Sequence, residues 1–500
     1  MVQWLPSFHM KQLTRRSFLR CGAVTAAAVS WSAKSWSQVP NSNEDVRVAT
    51  VGFGGRGGDH IEGFSKVKGC RIAGLCDVDD AILSRQKQKW NDQGVTVQAH
   101  KDIRKLLESK EIDAISIATP NHWHALAAIW AVQAGKDVYV EKPVSHNVWE
   151  GRKIVEAARK YKKMVQAGTQ SRSSAAINES IRWVNAGNLG NLLVARGLCY
   201  KPRPSIGKVD GPQPVPAGLD YDLWSGPAPM SPIRRKRFHY DWHWFWDYGC
   251  GDLGNQGIHQ MDIARWFLGV DELSPRVLSI GGRLGYDDDG ETPNTQIVYH
   301  DYARAPLIFE VRGLPRSKEL IKNGGWGAVD MDKFPKDIGG SVGVIIHCEG
   351  GTVVVPNYSS AIAYDKDNKK MTEWKGAEDH YANFIKAVRS RKHTDLHADI
   401  LEGHLSSALC HTGNISYRLG KKQLQSSTLE AIKANKALTE ATQRMFYHLG
   451  DNEINRYAHQ STLGVALTMD PKSERFIGND TANEMLTRPY RKPYLVPEDV

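Results

Sequence analysis

Residues 46–57 read VRVATVGFGGRG, a β-branched run that leads directly into a glycine-rich turn. The turn carries the spacing G-x-G-x-x-G at Gly52, Gly54 and Gly57, which between a strand and a helix is typical of dinucleotide-binding sites. Gly52 permits the tight turn, Gly54 lets the backbone approach a pyrophosphate, and Gly57 allows close packing of helix on strand. The first amides of the helix would bind the phosphates.

An acidic residue follows at the spacing that this motif requires. Asp77 lies 20 residues after Gly57, at the end of the next β-branched run. A carboxylate there accepts hydrogen bonds from the adenosine ribose hydroxyls and repels a 2′-phosphate, so we predict NAD rather than NADP. Arg56 is a candidate phosphate ligand, and a solvated arginine is the alternative.

Strand-like runs alternate with helix-like segments over the first third of the chain. This alternation indicates an α/β fold with a parallel sheet and right-handed crossovers. The predicted strands are 46–51, 71–76, 114–118, 137–140 and 164–166.

Two further motifs follow predicted strands. Residues 119–124 read TPNHWH and residues 141–143 read EKP. Both lie at the carboxyl edge of the sheet, where such folds bind ligands. Because proline disfavours the α conformation of the residue before it, we expect Lys142 to be held extended at this edge. There its ammonium could donate to a substrate hydroxyl or carbonyl oxygen near a nicotinamide.

The glycine loop, the 119–124 segment and the Glu-Lys-Pro motif together resemble the Gfo/Idh/MocA family, the relatives of glucose–fructose oxidoreductase and inositol dehydrogenase, across residues 45–425. The resemblance implies an N-terminal Rossmann domain (45–167) and an α/β domain with a large open mixed sheet (168–425). The residues beyond it, 426–500, are interpreted as a helical arm and tail that could reach a neighbouring subunit or dock on their own chain. It also implies chemistry on a sugar or polyol carbon, and a homo-oligomer. The cofactor-binding residues predicted are Gly52, Phe53, Gly54, Gly55, Arg56, Gly57, Asp77, Thr119, Pro120, Asn121, His124, Glu141 and Lys142.

The second half has its densest chemistry in residues 238–262, FHYDWHWFWDYGCGDLGNQGIHQMD. Members of the family usually carry Asp-x-x-x-His here, with the histidine as general base. This chain has Asn255-x-x-x-His259, and an amide can orient a hydroxyl but cannot accept a proton. His259 would act alone or with a carboxylate such as Asp252 or Asp262, and a core histidine is the alternative. The predicted catalytic residues are Lys142, His259 and Asn255.

The same run alternates aromatic residues at strand spacing, so that they could share one face. Such a face would stack on the C–H face of a pyranose, and a core stripe or subunit interface is equally compatible with it. Residues 203–232 contain seven prolines, which predicts a loop wrapping over a surface. The histidines match no common zinc spacing, so no metal is predicted. The predicted substrate-binding residues are Trp242, Trp244, Trp246 and Asp262.

The first 37 residues have the layout of an export signal. They carry five Lys or Arg and no acid, with Arg15-Arg16 followed by Ser-Phe-Leu and a short apolar stretch at 22–29. The stretch is far below the roughly 20 residues that span a bilayer. The pattern resembles a twin-arginine signal, which predicts a periplasmic or otherwise exported protein. A basic amphipathic arm is the alternative.

Composition excludes a fibrous, a disordered and a polytopic membrane protein. The chain has 500 residues, 41% hydrophobic and 24% charged, which suits two or three globular domains. Half of its net charge of +10 lies in residues 1–37, so the remainder does not argue for nucleic-acid binding. The seven cysteines include no CxxC pair and are read as mostly buried thiols.

These features predict an exported NAD-dependent oxidoreductase acting on a hydroxyl carbon of a sugar. Because free NAD is scarce outside the cytoplasm, we expect its cofactor to be retained and recycled. The alternative is an NAD-dependent glycoside hydrolase that oxidises C3 transiently and cleaves by elimination. A non-catalytic sugar- or nucleotide-sensing protein is a third class.

Overall fold

The computed structural model describes residues 45–322, 341–455 and 460–500. The predicted export signal lies outside this part of the chain. The first sheet and its helices run through β1 (Val46–Val51), α1 (Gly57–Ser65), β2 (Cys70–Cys76), α2 (Asp80–Asn91), β3 (Gln98–His100), α3 (Ile103–Leu107), β4 (Ala114–Ile117), α4 (Asn121–Gln133), β5 (Asp137–Val140), α5 (Val148–Lys160) and β6 (Val165–Ala167).

The first sheet is the predicted Rossmann sheet. Its six strands are all parallel, in the order β3-β2-β1-β4-β5-β6. The order reverses between β1 and β4, and this is the place where such sheets bind dinucleotides. Strands β4, β5 and β6 are fully buried, and β1 and β2 nearly so, which explains their apolar runs. The sequence did not predict β3, whose three residues are too few to show a pattern.

The second half begins with α6 (Ala175–Asn185) and continues through many strands. Its strands are β7 (Leu192–Cys199), β8 (Arg276–Gly282), β9 (Thr295–His300), β10 (Leu307–Arg312), β11 (Val342–Cys348), β12 (Gly351–Asn357), β13 (Ser360–Asp365), β14 (Lys370–Lys375), β15 (Lys421–Leu424), β16 (Gln460–Leu463), β17 (Leu467–Asp470) and β18 (Arg475–Phe476). Its other helices are α7 (Tyr221–Ser225), α8 (Gly251–Asn255), α9 (Gly257–Leu268), α10 (Lys318–Lys322), α11 (His380–Ser390), α12 (Ile400–Arg418), α13 (Gln425–Ile432), α14 (Lys436–Asp451) and α15 (Asp480–Glu484).

These strands form the large mixed sheet that the family resemblance implied. Its order is β14-β13-β12-β11-β7-β10-β9-β8-β16-β15, with β17 beside β8 and β18 beside β17. Only the β7–β10 pairing is parallel among those described. Helices α6, α9 and α12 cover one face through the largest apolar core. Helices α13 and α14 cover part of the other face. Short 3-10 helices lie at Gln170–Ser173, Asp241–Trp244 and His393–Asp395.

The C-terminal arm packs on its own chain, which was one of the two alternatives that the sequence left open. Leu438 and Met445 of α14 pack against Ile280 and Ile308 of the sheet. The last residues then cross to the first domain, where Tyr494 is buried with apolar residues of α4. The six cysteines of the described ranges are buried free thiols, as predicted.

Candidate cofactor and active site

A cavity of about 320 Å³ follows the carboxyl edge of the first sheet and is closed by residues of the second half. The loops after β1, β2, β4 and β5 all reach it, because parallel strands end at one edge. The predicted cofactor residues that line it are Gly52, Gly54, Gly55, Arg56, Asp77, Thr119, Pro120, Asn121, His124, Glu141 and Lys142.

The glycine turn forms a cradle that larger residues would fill. Gly52 has φ +76°, and a Cβ there would lie 2.9 Å from the Cα of Thr119. A Cβ at Gly57 would lie 2.0 Å from the carbonyl oxygen of Gly52. Helix α1 therefore begins directly against the turn, and Arg56, the residue before its first turn, lines the cavity. These residues fit a dinucleotide, whose phosphates need this close approach.

Asp77 lies where the ribose-binding acid was predicted. It lines the cavity, and its two carboxylate oxygens accept the backbone N–H groups of Phe53 (2.9 Å) and Asp79 (3.1 Å). Burial raises its pKa above the usual value. Phe53 itself packs into the apolar core and Gly57 into the strand–helix contact, so these two predicted cofactor residues act through packing and are not among the cavity's lining residues.

Glu141 is the centre of a buried network that fixes the Glu-Lys-Pro motif. Its Oε1 accepts hydrogen bonds from His60 Nε2 and Arg56 Nε, both at 3.0 Å, and its Oε2 accepts from Lys142 N. Burial opposes its ionisation, but the hydrogen bond from His60 and the charges of Lys142 and Arg56 outweigh it and hold the pKa well below the usual range. Arg56 thus holds this carboxylate.

Lys142 joins the two halves of the site. Its Nζ donates to the backbone oxygen of Asn255 at 2.6 Å, and both residues line the cavity. Burial lowers the pKa of the ammonium, partly opposed by Glu141. The ring nitrogens of His124 lie 2.6 Å and 2.7 Å from the carbonyl oxygens of Pro143 and Thr119, which ties the loops after β4 and β5 together.

His259 lies in the first turn of α9, four residues after Asn255. Its ring is 5.1 Å from that of Tyr358, and its Nδ1 has no hydrogen-bond partner in the described part of the chain. Burial, helped by the charge of Lys142, lowers its pKa to about 3, so the imidazole is neutral at pH 7. The structure brings Lys142 and Asn255 together at the cavity, whereas His259 is 5% exposed and is not among the residues that line it.

The aromatic run 241–248 is not a strand, which corrects the prediction of a shared aromatic face. Asp241–Trp244 forms a 3-10 helix. Trp242 lines the cavity with its ring stacked 3.7 Å from that of His243. Trp244 is 4% exposed in an apolar cluster, and Trp246 lies against the guanidinium of Arg418, so neither lines the cavity.

Asp262 was predicted to bind substrate and instead lies inside the second domain. Its carboxylate is 0% exposed and accepts three hydrogen bonds from Arg172 and one from Ser406. Asp252 is likewise held by Arg203, at 2.9 Å and 3.1 Å. Both carboxylates already have guanidinium partners, so neither is a free base beside His259.

Sequence reasoning missed several residues at the cavity, among them His239, Tyr240 and His243. Burial lowers the pKa of His243 to about 3, so its ring is neutral. All three lie in the aromatic run that the sequence singled out, where the histidines were weighed only as metal ligands. The described ranges hold no cluster of three or more metal-ligating side chains and no helix long and apolar enough to cross a membrane.

The fold and this cavity define a two-domain protein of the Rossmann type with a dinucleotide site. Family comparison agrees: the model of the oxidoreductase family's NAD-binding Rossmann fold matches residues 46–169, and the model of its C-terminal alpha/beta domain matches residues 195–313. The chain belongs to the Gfo/Idh/MocA family and binds NAD.

Curated relatives carry glycosidase names. A glycosyl hydrolase family 109 protein of Shewanella sp. (strain ANA-3) is 33% identical over 172 residues, 30% of this chain and 38% of the relative. An alpha-N-acetylgalactosaminidase of Shewanella oneidensis is 33% identical over 177 residues, 31% and 39% of the two chains. The match therefore spans less than two fifths of the length of these relatives.

Solved structures share the fold. The WlbA dehydrogenase from Bordetella pertussis, in complex with NADH and UDP-GlcNAcA, has a TM-score of 0.52 and 20% identity, over 73% of this chain and 94% of that one. An oxidoreductase domain protein from Kribbella flavida has a TM-score of 0.53 and 16% identity, over 74% and 96%.

Proposed function

We propose that the protein is an NAD-dependent oxidoreductase acting on a hydroxyl-bearing carbon of a sugar or sugar derivative. The observation that carries this proposal is the meeting of Lys142 and Asn255 at the end of the dinucleotide cavity, with the neutral imidazole of His259 four residues further on. NAD, when bound, accepts the hydrogen and two electrons of the C–H bond.

Each residue has a distinct task in this chemistry. Lys142 uses one N–H on the backbone of Asn255, which leaves two for a substrate oxygen. The Asn255 amide can hold a neighbouring hydroxyl, as the sequence suggested. The imidazole of His259, neutral at pH 7, is the group that we assign to accept the hydroxyl proton.

A sugar substrate is supported by two kinds of observation. The curated relatives are named as glycosidases, and the WlbA structure contains the sugar nucleotide UDP-GlcNAcA. In this chain Tyr240 and Trp242 add flat apolar surface to the cavity beside the polar groups of Lys142 and Asn255. That mixture suits a ring with both C–H faces and hydroxyls.

The proposal is tested by incubating NAD-loaded protein with a panel of sugars and following the absorbance of reduced nicotinamide. We expect turnover that falls by at least ~100-fold in Lys142→Met and in His259→Phe, because each removes proton handling. Asn255→Asp should retain activity, whereas Asn255→Leu should lose it. The control Lys375→Met changes an exposed lysine of β14 and should match wild type. Full activity in both Lys142→Met and His259→Phe would contradict the assignment.

A second candidate is a glycoside hydrolase that uses NAD without net redox change, which the family 109 relatives favour. Oxidation of the C3 hydroxyl acidifies the C2 proton, loss of that proton expels the aglycone, and water addition with return of the hydrogen restores the sugar. Chromogenic N-acetylgalactosaminides and galactosides separate the two candidates. Aglycone release without accumulation of reduced NAD favours the hydrolase, and stable reduction without release favours the oxidoreductase.

We also propose that the protein is exported by the twin-arginine route and forms a homo-oligomer. The Arg15-Arg16 pair and its sequence context support export, and the family resemblance supports assembly. Replacing both arginines by lysine should abolish export in cell fractionation. Light scattering on purified protein gives the oligomeric state, and a monomer would refute the second part.

A further inference from the structure

The proline-rich segment of the second half crosses onto the first domain beside the cofactor cavity. The N–H of Asp220 donates to the carbonyl of Val78 at 3.0 Å, and the N–H of Asp80 donates to the carbonyl of Gly218 at 3.2 Å. These bonds attach the segment to the stretch that follows β2, directly after Asp77, the predicted ribose ligand. A surface-wrapping loop was predicted here, and its docking place is the adenosine end of the cavity.

A side-chain contact reinforces this attachment. His239 Nε2 lies 3.0 Å from Asp79 Oδ2, while Asp79 Oδ1 caps α2 by accepting the N–H groups of Ala81 and Ile82. The Asp79 side chain is 9% exposed, so this contact is shielded from solvent on the acid's side. One carboxylate therefore links the start of α2 to the second domain.

The attached segment is a wall of the cavity. His239, Tyr240, Trp242 and His243 of the second domain line it together with Asp77 and the glycine turn of the first. Residues of both domains therefore line the cavity. Because the His239–Asp79 contact and the backbone bonds beside it hold this wall on the first domain, opening them would widen the way out for the adenosine half of a dinucleotide.

The segment also has contacts on the side that faces away from the cavity. Arg235 is buried beneath it, with its guanidinium over the rings of Phe238 (4.3 Å), Trp224 (4.7 Å) and Tyr248 (5.3 Å). From the C-terminal tail, Tyr494 donates to Asp222 at 2.8 Å. The segment is therefore held on its far side as well as at the first domain.

We infer that residues 216–243 complete the cofactor site on its adenosine side, with His239 as the retaining residue that makes NAD release slow. This inference concerns the cofactor alone and holds whichever reaction the enzyme catalyses. It differs from glycine-loop binding, since it places a determinant of NAD release in the second domain.

The test is the rate of NADH release, followed by fluorescence when NADH-loaded protein is mixed with excess NAD. Hydrogen bonds to charged groups contribute about 1.5–3 kcal/mol, so His239→Ala and Asp79→Asn should each speed release about tenfold or more. Asn at 79 keeps an oxygen to cap α2, which makes it the variant that preserves the fold. His393→Ala, at an exposed histidine 3.8 Å from Asp399, is the matched control and should release at the wild-type rate.

A double variant and amide exchange complete the experiment. If His239 and Asp79 act through one contact, the double variant should release NADH no faster than the faster single variant. Loading with NAD should slow hydrogen exchange at the amides of Asp80 and Asp220. Wild-type release rates in folded His239→Ala and Asp79→Asn, or equal exchange with and without NAD, would overturn the inference.

Discussion

Lys142 is an ammonium whose position is fixed from three sides. Its backbone N–H is held by the Glu141 carboxylate, its Nζ by the carbonyl of Asn255, and the following loop by His124. Such supporting bonds restrict a long flexible side chain to one direction, which is the usual requirement for a group that must meet a reacting oxygen. Each supporting residue comes from a different part of the chain.

The pH dependence of activity follows from the two buried groups. Burial lowers the pKa of Lys142, so the charged donor form is lost as pH rises through a value below the ordinary 10.5. His259, with a pKa of about 3, stays neutral from about pH 5 upward and gives no inflection near the ordinary histidine value of about 6.5.

We therefore expect kcat/KM to be flat from about pH 5 to 7 and to fall on the alkaline side. Profiles of wild type and Lys142→Arg check this, because a guanidinium keeps its proton and should move the alkaline limb to higher pH. An acidic limb near pH 6.5 in the wild-type profile would show that His259 titrates in the ordinary range and contradict the assignment.

A variant of Asp262 distinguishes a structural role of its carboxylate from a substrate-binding role. Removing its charge leaves the buried Arg172 with Glu402 as its remaining carboxylate at 3.0 Å. Loss of one partner of a buried pair costs about 3–5 kcal/mol, so Asp262→Asn should lower the free energy of unfolding by about 3 kcal/mol. The KM of the folded variant should be unchanged. Denaturant titration and steady-state kinetics measure the two effects.

Glu108→Gln is the control for Asp262→Asn, because it breaks a surface pair with Lys105 whose side chains are both mostly exposed. Such pairs contribute about 0–1 kcal/mol, so this variant should remain near wild type. A raised KM with unchanged stability in Asp262→Asn would restore the original prediction of a substrate ligand.

At the scale of elements, the β1–turn–α1 unit shows why a local sequence pattern can be sufficient to predict structure. The turn, the helix start and the strand contact involve residues only a few positions apart, so their spacing in the chain determines their spacing in space. The required glycines at 52 and 57 are visible in the sequence for that reason.

Adjacent glycines of this unit provide a matched pair of variants. Gly57→Ala forces a Cβ against the carbonyl of Gly52, so α1 must shift and NAD affinity should fall by at least ~10-fold. At Gly58 a Cβ meets no atom within 4 Å, and Gly58→Ala should raise stability by about 0.5–1 kcal/mol and preserve NAD binding. NAD titration measures the affinity of each variant, and thermal unfolding measures its stability. Equal NAD affinity in the two variants would show that NAD binding does not need the close approach of α1 to the turn.

The aromatic run shows where a local pattern fails. Alternate aromatic residues fit a strand, but 241–244 fold as a 3-10 helix inside a cluster that includes Phe238, Trp224 and Tyr248. When residues on every side of a segment are apolar, periodicity does not distinguish a strand from a compact turn. The helical form here depends on partners far away in the chain.

At the scale of the whole molecule, the C-terminal tail fastens the two domains together. The Tyr494 ring lies 5.5 Å from that of Trp123 and 6.5 Å from that of Trp130, both on α4, and its hydroxyl donates to Asp222 of the second half. The tail therefore docks on its own chain.

Tyr494→Ala should lower stability by about 3–5 kcal/mol, as for other buried aromatic side chains, whereas Tyr494→Phe should cost only about 1 kcal/mol for the lost hydrogen bond. Denaturant unfolding of the two variants measures the difference. A Tyr494→Ala protein as stable as wild type would mean that this ring does not support the fold.

The parallel Rossmann sheet, the NAD site and the position of Lys142 at the carboxyl edge could be predicted from sequence, because each depends on strand ends and turns a few residues long. Asn255 was predicted only through the family resemblance, since its contact with Lys142 joins residues 113 positions apart. The sequence could not show that Arg172 holds Asp262, that Arg56 holds Glu141, or that His239 meets Asp79. Those pairs join residues 85 to 160 positions apart. Their contacts are set by how whole elements pack, and only the tertiary structure decides which buried charge finds which partner.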